Sequence, residues 1–291
     1  MIDFELLEEL VVFAKYGTLS TTAAHLMITQ PSVTRGMKKL EQELGVQLFD
    51  RSQSNRIVLN DTGKIAVKEA KKLLAAKEDF VEKILNYDHA KRKIIVESVA
   101  PGPLYFLIQV QNEIQTPLQV SQQYIKLENV ARDLENYKAQ LIFTNEEINT
   151  DEIESMYLGV EHLDLGINQE SPLAQREKVN FADLAGLQFL VVQDIGLWRQ
   201  IIEDNIPQAQ FLYQKDLDAV SALSKYSNLP FFYTNLTEAS SATFDRFENG
   251  KHTQLRIEDS HADVEFYGAY LKSNRKIMQP ILRKMIDKWP K

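Results

Sequence analysis

The sequence predicts an α+β multidomain protein: a small helical domain at the N-terminus, one long connecting helix, and a larger α/β domain at the C-terminus. Three observations predict this fold class. Apolar residues recur at helical spacing through the first 45 residues. Residues 61–90 then form a helical pattern without proline. From Lys93 onward, short apolar runs alternate with helical stretches, which is typical of an open α/β sheet.

Residues 29–45, with the sequence TQPSVTRGMKKLEQELG, predict an amphipathic helix with one basic face. Pro31 suits the first helical turn, and Thr29 or Gln30 is the predicted N-cap. The apolar stripe consists of Val33, Met37, Leu40 and Leu44, and the opposite face carries Arg35, Lys38 and Gln42 flanked by Thr34 and Lys39. Such groups donate to phosphates and to base edges in a major groove. Taken alone, the pattern fits an ordinary solvated helix face about equally well.

The preceding residues favour DNA binding. Asp3 is the predicted cap of a first helix that Gly17 ends, and Ser20 the predicted cap of a second helix over residues 20–27. The inward positions of the first helix are predicted to be Leu6, Leu7, Leu10, Val11 and Ala14. Two helices joined by a tight turn indicate a helix-turn-helix. Two short strands at residues 48–49 and 57–59 then predict a β-wing, from which Arg51 and Arg56 could reach a minor groove or phosphates.

Residues 1 to about 65 resemble the N-terminal winged helix-turn-helix of LysR-type transcriptional regulators. The matching positions are Phe13, Ala23, Ala24, Leu26, residues 30–35 (QPSVTR), Leu40, Glu41, Leu44, Gly45, Leu48, Phe49, Arg51, Leu59, Thr62 and Gly63. The resemblance implies that residues 18–37 form the helix-turn-helix and that residues 30–39 contact DNA. With the wing, the predicted DNA-binding residues are Thr29, Gln30, Pro31, Ser32, Thr34, Arg35, Lys38, Lys39, Arg51 and Arg56. One departure is Gly36, where the family usually has a longer polar residue.

The charge distribution agrees with a DNA-binding N-terminus. The chain has a net charge of −8, but residues 1–93 carry 15 basic and 13 acidic side chains, so the acidic excess lies in the remainder. The sequence has no cysteine, which excludes disulfides and thiolate metal sites. No apolar run is long enough to span a membrane, and the acidic N-terminus is unlike a signal peptide, so we expect no membrane association and a cytoplasmic location.

The long helix predicted from Asp61 to about residue 90 carries an apolar seam. Its members alternate steps of four and three, as in a coiled coil: Ala66, Ala70, Leu73, Lys77, Phe80, Ile84 and Tyr87. A stripe of about 45 Å is too long for a small domain to bury, so we expect the same helix of a second copy to cover it. Packing onto its own chain is the alternative, at about one chance in five. The resemblance implies the same dimerisation helix, in a homodimer or homotetramer on a near-palindromic operator.

For the C-terminal region, the resemblance implies a periplasmic-binding-protein-like α/β effector domain. Its two subdomains would be hinged near residues 159–164 and 263–267. The predicted domains are 1–60 (winged helix-turn-helix), 61–91 (linker and dimerisation helix) and 92–291 (effector binding). Within the last, subdomain I comprises residues 92–161 plus 266–291, and subdomain II residues 162–265.

Ligands of open α/β sheets bind at the carboxyl ends of strands, and a hinged cleft suits ligand-linked closure. The predicted effector-binding residues are Ser98, Val99, Ala100, Pro101, Thr144, Asn145, Gln193 and Trp198. Ser98 and the N-terminus of the next helix could hold an anion, as in family members that sense small carboxylates. Because Val99 and Ala100 are apolar, either the effector is less polar than usual or the cleft is vestigial.

The sequence therefore predicts a DNA-binding transcriptional regulator that senses a small metabolite. The five histidines show no metal-ligand spacing, and no phosphate loop or nucleophile elbow is present, so we expect no metal, no cofactor and no enzymatic activity. Two alternatives stay open. The chain could be a regulator without an effector, or a solute-binding or enzymatic α/β protein with an incidental helical N-terminus.

Overall fold

A computed structural model of the chain describes residues 2–50, 57–114, 116–238 and 252–290. The chain divides into two compact units within one long helix, after Leu85. The first unit contains α1 (Phe4–Tyr16), α2 (Leu19–Leu26), α3 (Gln30–Leu44), β1 (Phe49–Asp50), β2 (Val58–Leu59) and most of α4 (Asp61–Ala90). No helix in the described part of the chain is both long enough and apolar enough to cross a bilayer.

Side-chain caps fix where the first three helices begin. Asp3 accepts from the amide of Glu5, and Gly17 ends α1 in a left-handed conformation, as predicted. The prediction that Ser20 caps the second helix is wrong. Thr18 takes that place because its extended backbone lets its hydroxyl accept from the amide of Thr21, so α2 begins earlier.

One apolar core holds α1, α2 and α3 together. Its buried members are Leu6, Leu7, Leu10, Phe13, Ala23, Val33, Met37, Leu40, Leu48, Phe49, Val67 and Ala70. Two predicted core positions are wrong. Ala14 is exposed because Phe13 faces the core, where its ring meets Phe49 edge-on. Leu44 is exposed because α3 ends at the next residue, Gly45, beyond the reach of the other helices.

The helix α4 has two different halves. Near its start, Val67 and Ala70 are buried in the core of the first unit, and Lys77 pairs with Glu8 at 3.3 Å. The predicted seam is therefore wrong at Ala70, because the chain's own domain already covers that position. The later apolar seam residues, Leu73, Phe80, Ile84 and Tyr87, are between 49% and 67% exposed. Such a contiguous exposed apolar face is characteristic of an interaction surface.

The second unit is built from mixed sheets flanked by helices. Its first elements are β3 (Ile94–Ser98), α5 (Pro101–Val110), β4 (Leu118–Val120), α6 (Val130–Glu135), β5 (Leu141–Thr144), β6 (Ile153–Asn168) and β7 (Lys178–Val179). The next are β8 (Gln188–Val192), α7 (Trp198–Asn205), β9 (Gln210–Gln214), α8 (Leu217–Ser224), β10 (Phe231–Thr234) and α9 (Asn235–Glu238). The last are β11 (His252–Ile257), β12 (Asp263–Leu271) and α10 (Arg275–Lys288). The alternation of strands and helices from Lys93 onward is as the sequence predicts.

The strands form two sheets that share β6. The first has the order β4-β3-β5-β12-β6, and in the second β6 is flanked by β11, which pairs with β7, and by β10, which leads to β8 and β9. Parallel pairing joins β3 to β4 and β5, and β8 to β9 and β10. The strands β6 and β12 run antiparallel, because the chain crosses between the lobes on β6 and returns on β12.

The strand β6 changes sheet midway. Residues 153–162 pair with β12, and residues 163–168 pair with β10 and β11. The return connection is residues 258–262, between β11 and β12. The two lobes of this unit are therefore joined where these strands cross.

Candidate DNA interface and effector cleft

Hydroxyl and amide side chains order the start of α3. Thr29 is the N-cap, as one of the two predicted alternatives had it, and its hydroxyl accepts from the amide of Ser32 at 3.3 Å. Gln30 accepts a 2.9 Å hydrogen bond from the Ser20 hydroxyl of α2, and Pro31 is exposed beside it. The α2–α3 turn is thus fixed by side chains that also face solvent.

The outward face of α3 is basic. Arg35, Lys38 and Lys39 are exposed, whereas Ser32 and Thr34 are partly buried between them. The guanidinium of Arg35 donates to the Ser32 hydroxyl at 3.4 Å, and Lys39 lies 4.0 Å from Glu43. Neither Arg35 nor Lys38 pairs with a carboxylate of the described residues. Both cations are therefore available to phosphates or base edges.

Gly36 lets α1 approach α3 closely. A Cβ at this position would lie 2.0 Å from Oε2 of Glu9, whose carboxyl oxygen is buried against the helix. Burial, together with Glu5 and Asp3, raises the pKa of Glu9 to about 7. Packing against Glu9 thus explains why α3 contains a glycine at position 36. The carboxyl group of Glu9 lies on the inner side of α3, opposite the basic face.

Glu41 anchors the strand that follows α3. Its carboxylate accepts from the amides of Leu48 at 2.8 Å and Phe49 at 3.3 Å. Strands β1 and β2 then pair antiparallel, as the wing prediction requires. The wing turn and its predicted DNA-binding residues, Arg51 and Arg56, lie outside the described residues.

A cleft of about 110 Å³ opens between the two lobes of the second unit. Of the predicted effector-binding residues, Pro101 and Trp198 line it. Ser98, Val99 and Ala100 are fully buried behind the start of α5, and the Ser98 hydroxyl accepts from the amide of Ala100. Thr144, Asn145 and Gln193 do not line this cleft. Much of its wall comes instead from β6, β8 and β10.

The acidic side chain at the centre of the cleft, Glu161, was not among the predicted residues. It is fully buried, and a Cβ on Gly102 would lie 2.0 Å from its Oε1. Burial raises the pKa of Glu161 to about 7, opposed by Thr234 and Trp198. Nothing local distinguishes this glutamate, because its place depends on the pairing of β6 with a strand a hundred residues later. Gly102, between two prolines, is the one sequence signal of a close approach.

A histidine lies beside the crossing of the two long strands. His162 on β6 contacts Asp263 on β12 through Nδ1 and lies 3.0 Å from Asp164 through Nε2, while Arg256 on β11 lies 4.0 Å from Asp164. The amide of His162 donates to Asn235. Burial lowers the pKa of His162, but the bonds to Asp164 and Asp263 outweigh it, and the net shift is upward. The crossing is thus held by a histidine between two carboxylates.

We expect this histidine to stabilise the second unit more at lower pH. Since its folded pKa exceeds the unfolded value of 6.5, its contribution is fully present below that value and is lost as pH rises through the folded pKa. His162→Gln should reduce the dependence of the unfolding free energy on pH. Denaturant unfolding at several pH values, followed by the fluorescence of Trp198 and Trp289, measures this dependence. A variant with an unchanged pH dependence would show that the pair of carboxylates does not hold the charged imidazole.

Comparison with known proteins identifies both regions. The family model of bacterial regulatory helix-turn-helix proteins of the lysR family matches residues 4–64, and that of the LysR substrate binding domain matches residues 112–225. YbhD, a helix-turn-helix-type regulator of Escherichia coli K12, is 23% identical over 200 residues. That alignment covers 67% of this chain and 63% of YbhD, which is less than two thirds of the relative's length. HdfR of Salmonella newport is 25% identical over 264 residues, covering 84% of this chain and 90% of that protein.

Among solved structures, DarR of Vibrio fischeri in complex with DNA has a similar fold. It matches 99% of this chain and 98% of its own with a TM-score of 0.57 and 15% identity. The fold class predicted from the sequence is thus confirmed. The chain belongs to the LysR family of bacterial transcriptional regulators, with a helix-turn-helix domain followed by a LysR substrate-binding domain.

Proposed function

We propose that this chain binds double-stranded DNA at a near-palindromic operator and regulates transcription in response to a small molecule. The observation that carries the DNA-binding part is the outward face of α3. Arg35 and Lys38 are exposed there beside the hydroxyls of Ser32 and Thr34, on a helix whose start is fixed by the Thr29 cap. Cations and hydroxyls on the second helix of a helix-turn-helix suit contacts to phosphates and base edges.

The domain roles follow from this proposal. Residues 1–60 bind DNA, residues 61–91 dimerise through the exposed half of α4, and residues 92–291 bind the effector between two lobes. The predicted DNA-binding residues are retained, with Arg51 and Arg56 of the wing as flanking contacts. A DNA-binding regulator acts in the cytoplasm of a bacterium and needs no catalytic activity. Assays for conversion of the metabolites that bind test the expectation that the protein has no catalytic activity.

Arg35→Ala should weaken binding to the selected operator by about 1–3 kcal/mol, roughly 5- to 150-fold, and relax the sequence preference. The reason is that a guanidinium can donate twice to one base edge, which alanine cannot replace. Gel retardation or fluorescence anisotropy at several salt concentrations measures both affinity and preference. Lys72→Ala is the matched control, because Lys72 is an exposed cation of the same unit that already pairs with Glu69.

Equal losses in Arg35→Ala and Lys72→Ala would contradict the assignment of α3 as the recognition helix. An unaltered circular dichroism spectrum shows that Arg35→Ala is folded. For the effector part, a metabolite present at about 100 times its Kd should stabilise the protein by about 2.7 kcal/mol. A flat response to a broad metabolite panel would favour a regulator without an effector.

A further inference from the structure

The start of α5 cannot readily hold a ligand carboxylate. Pro101 and Pro103 lack N–H groups, so Gly102 and Leu104 alone supply amide donors among its first four residues. The carboxyl group of Glu161 already lies against Gly102, where even a methyl group would be only 2.0 Å from Oε1. The place that the sequence suggested for an anionic effector is therefore occupied by an acid of the chain itself.

The described lining of the cleft carries no positive charge. Among the described residues that line it, none is lysine, arginine or histidine, whereas Glu161 and Asp194 are acidic. A bound carboxylate would meet like charge without a compensating cation. Aromatic rings form much of the remaining wall, including those of Tyr105, Tyr124 and Trp198. Faces of such rings attract cations.

Several buried polar atoms in the wall of the cleft have no hydrogen-bond partner among the described residues. Thr234 and Trp198 lie close enough to Glu161 to lower its pKa, but neither carboxyl oxygen of Glu161 nor Nε1 of Trp198 makes a hydrogen bond of normal geometry to the described residues. The nearby Thr234 hydroxyl is engaged with Thr237. Buried polar groups are nearly always satisfied, so these atoms are suited to bind a polar ligand group. A ligand that donates hydrogen bonds suits the two oxygens of Glu161 best.

We propose that the effector is a small organic amine, whose ammonium group pairs with Glu161 and whose apolar body lies among the aromatic residues of the cleft. This inference rests on the proposed function, since it names the ligand class of the effector site. The cleft volume of about 110 Å³ is close to the roughly 150 Å³ cavity that holds benzene in another protein. A single ring or a short alkyl chain is thus the expected body.

Three probes of one shape test the charge preference: benzylamine, benzyl alcohol and benzoate. Isothermal titration of the full-length protein should show benzylamine binding at least about tenfold more tightly than the alcohol, with benzoate weakest. Glu161→Gln should lower benzylamine affinity on the order of a hundredfold and leave benzyl alcohol nearly unchanged, because only the ion pair is lost. Glu97→Gln, at another buried acid outside the cleft, is the matched control and should bind benzylamine like the wild type.

A second measurement needs no variant. Pairing with an ammonium group holds Glu161 ionised, so benzylamine should release protons on binding near neutral pH. Isothermal titration in buffers of different ionisation enthalpy measures the number of protons released. The other ionisable groups among the described residues that line the site are Tyr105, Tyr124, Asp194 and Tyr233. Burial raises the pKa of Tyr124, so it stays neutral.

Tighter binding of benzoate than of benzylamine, or no benzylamine binding by folded wild-type protein, would overturn the amine proposal. Equal benzylamine affinity in wild type and Glu161→Gln would also overturn it. Operator binding is measured on the same samples. Intact salt-dependent operator binding without amine binding rejects the ligand class alone, whereas loss of operator binding in the wild type rejects the proposed function itself.

Discussion

Replacing Phe80 and Ile84 together by glutamate should convert the dimer into monomers and lower operator affinity by at least about a hundredfold. Both side chains are more than half exposed on the later half of α4, where the first unit no longer covers the helix. A partner helix would bury them, and two facing pairs of carboxylates would oppose that contact. Operator affinity falls because a monomer binds one half-site only, whereas a dimer binds both half-sites at once and therefore more tightly.

Sedimentation velocity measures the oligomeric state, and titration with operator DNA measures affinity. Glu78→Gln with Glu82→Gln is the matched control, because these residues lie on the opposite side of the same exposed helical turns. The control should remain dimeric. A glutamate double variant that stays dimeric and binds the operator normally would show that α4 is not the dimerisation surface.

Glu9→Gln should stabilise the DNA-binding unit at about pH 8, on the order of 1–3 kcal/mol, and have little effect near pH 4. Burial, with Glu5 and Asp3, raises the folded pKa of Glu9 from 4.5 to about 7. Below the lower value the carboxyl is protonated in both folded and unfolded states. Above the higher value only the folded state bears the cost of a buried charge, and glutamine removes that cost while keeping the shape.

Hydrogen exchange of the α3 amides in the full-length protein reports this change. Glu8→Gln is the control on the same helix: Glu8 is half-exposed and paired with Lys77, so its loss should be neutral or slightly destabilising. Slower exchange in Glu8→Gln, or no change in Glu9→Gln at the higher pH, would contradict a buried ionised carboxyl behind Gly36.

The N-terminal helices could be predicted because their signals are local. Asp3 and Thr29 cap the helices that begin next to them, and Gly17 ends the helix just before it, so these residues mark the helix ends in the sequence. The errors also have local causes. Thr18 and Ser20 are both good caps, and the choice between them depends on backbone angles that composition does not reveal. Phe13 and Ala14 are adjacent on the helix, and the position of Phe49 decides which faces inward.

The effector cleft could be predicted only in outline. Pro101 and Trp198 begin the helices that follow the buried strands β3 and β8, so strand order places them near the cleft. Ser98 also follows a buried strand, but it is itself buried, and its hydroxyl accepts from the amide of Ala100 just before α5. Glu161 could not be found this way. Its position requires knowing that β6 runs through both sheets, which depends on pairing with the distant strand β12.

Selection of DNA fragments from a random library by the purified full-length protein tests the central claim most directly. A basic α3 face presented twice by a dimerised α4 predicts enrichment of one motif with two-fold symmetry, its half-sites a whole number of helical turns apart. The account also predicts that Arg35→Ala relaxes the selected motif at the base pairs that Arg35 contacts. Selection of no motif, or of the same motif by Arg35→Ala, would contradict it.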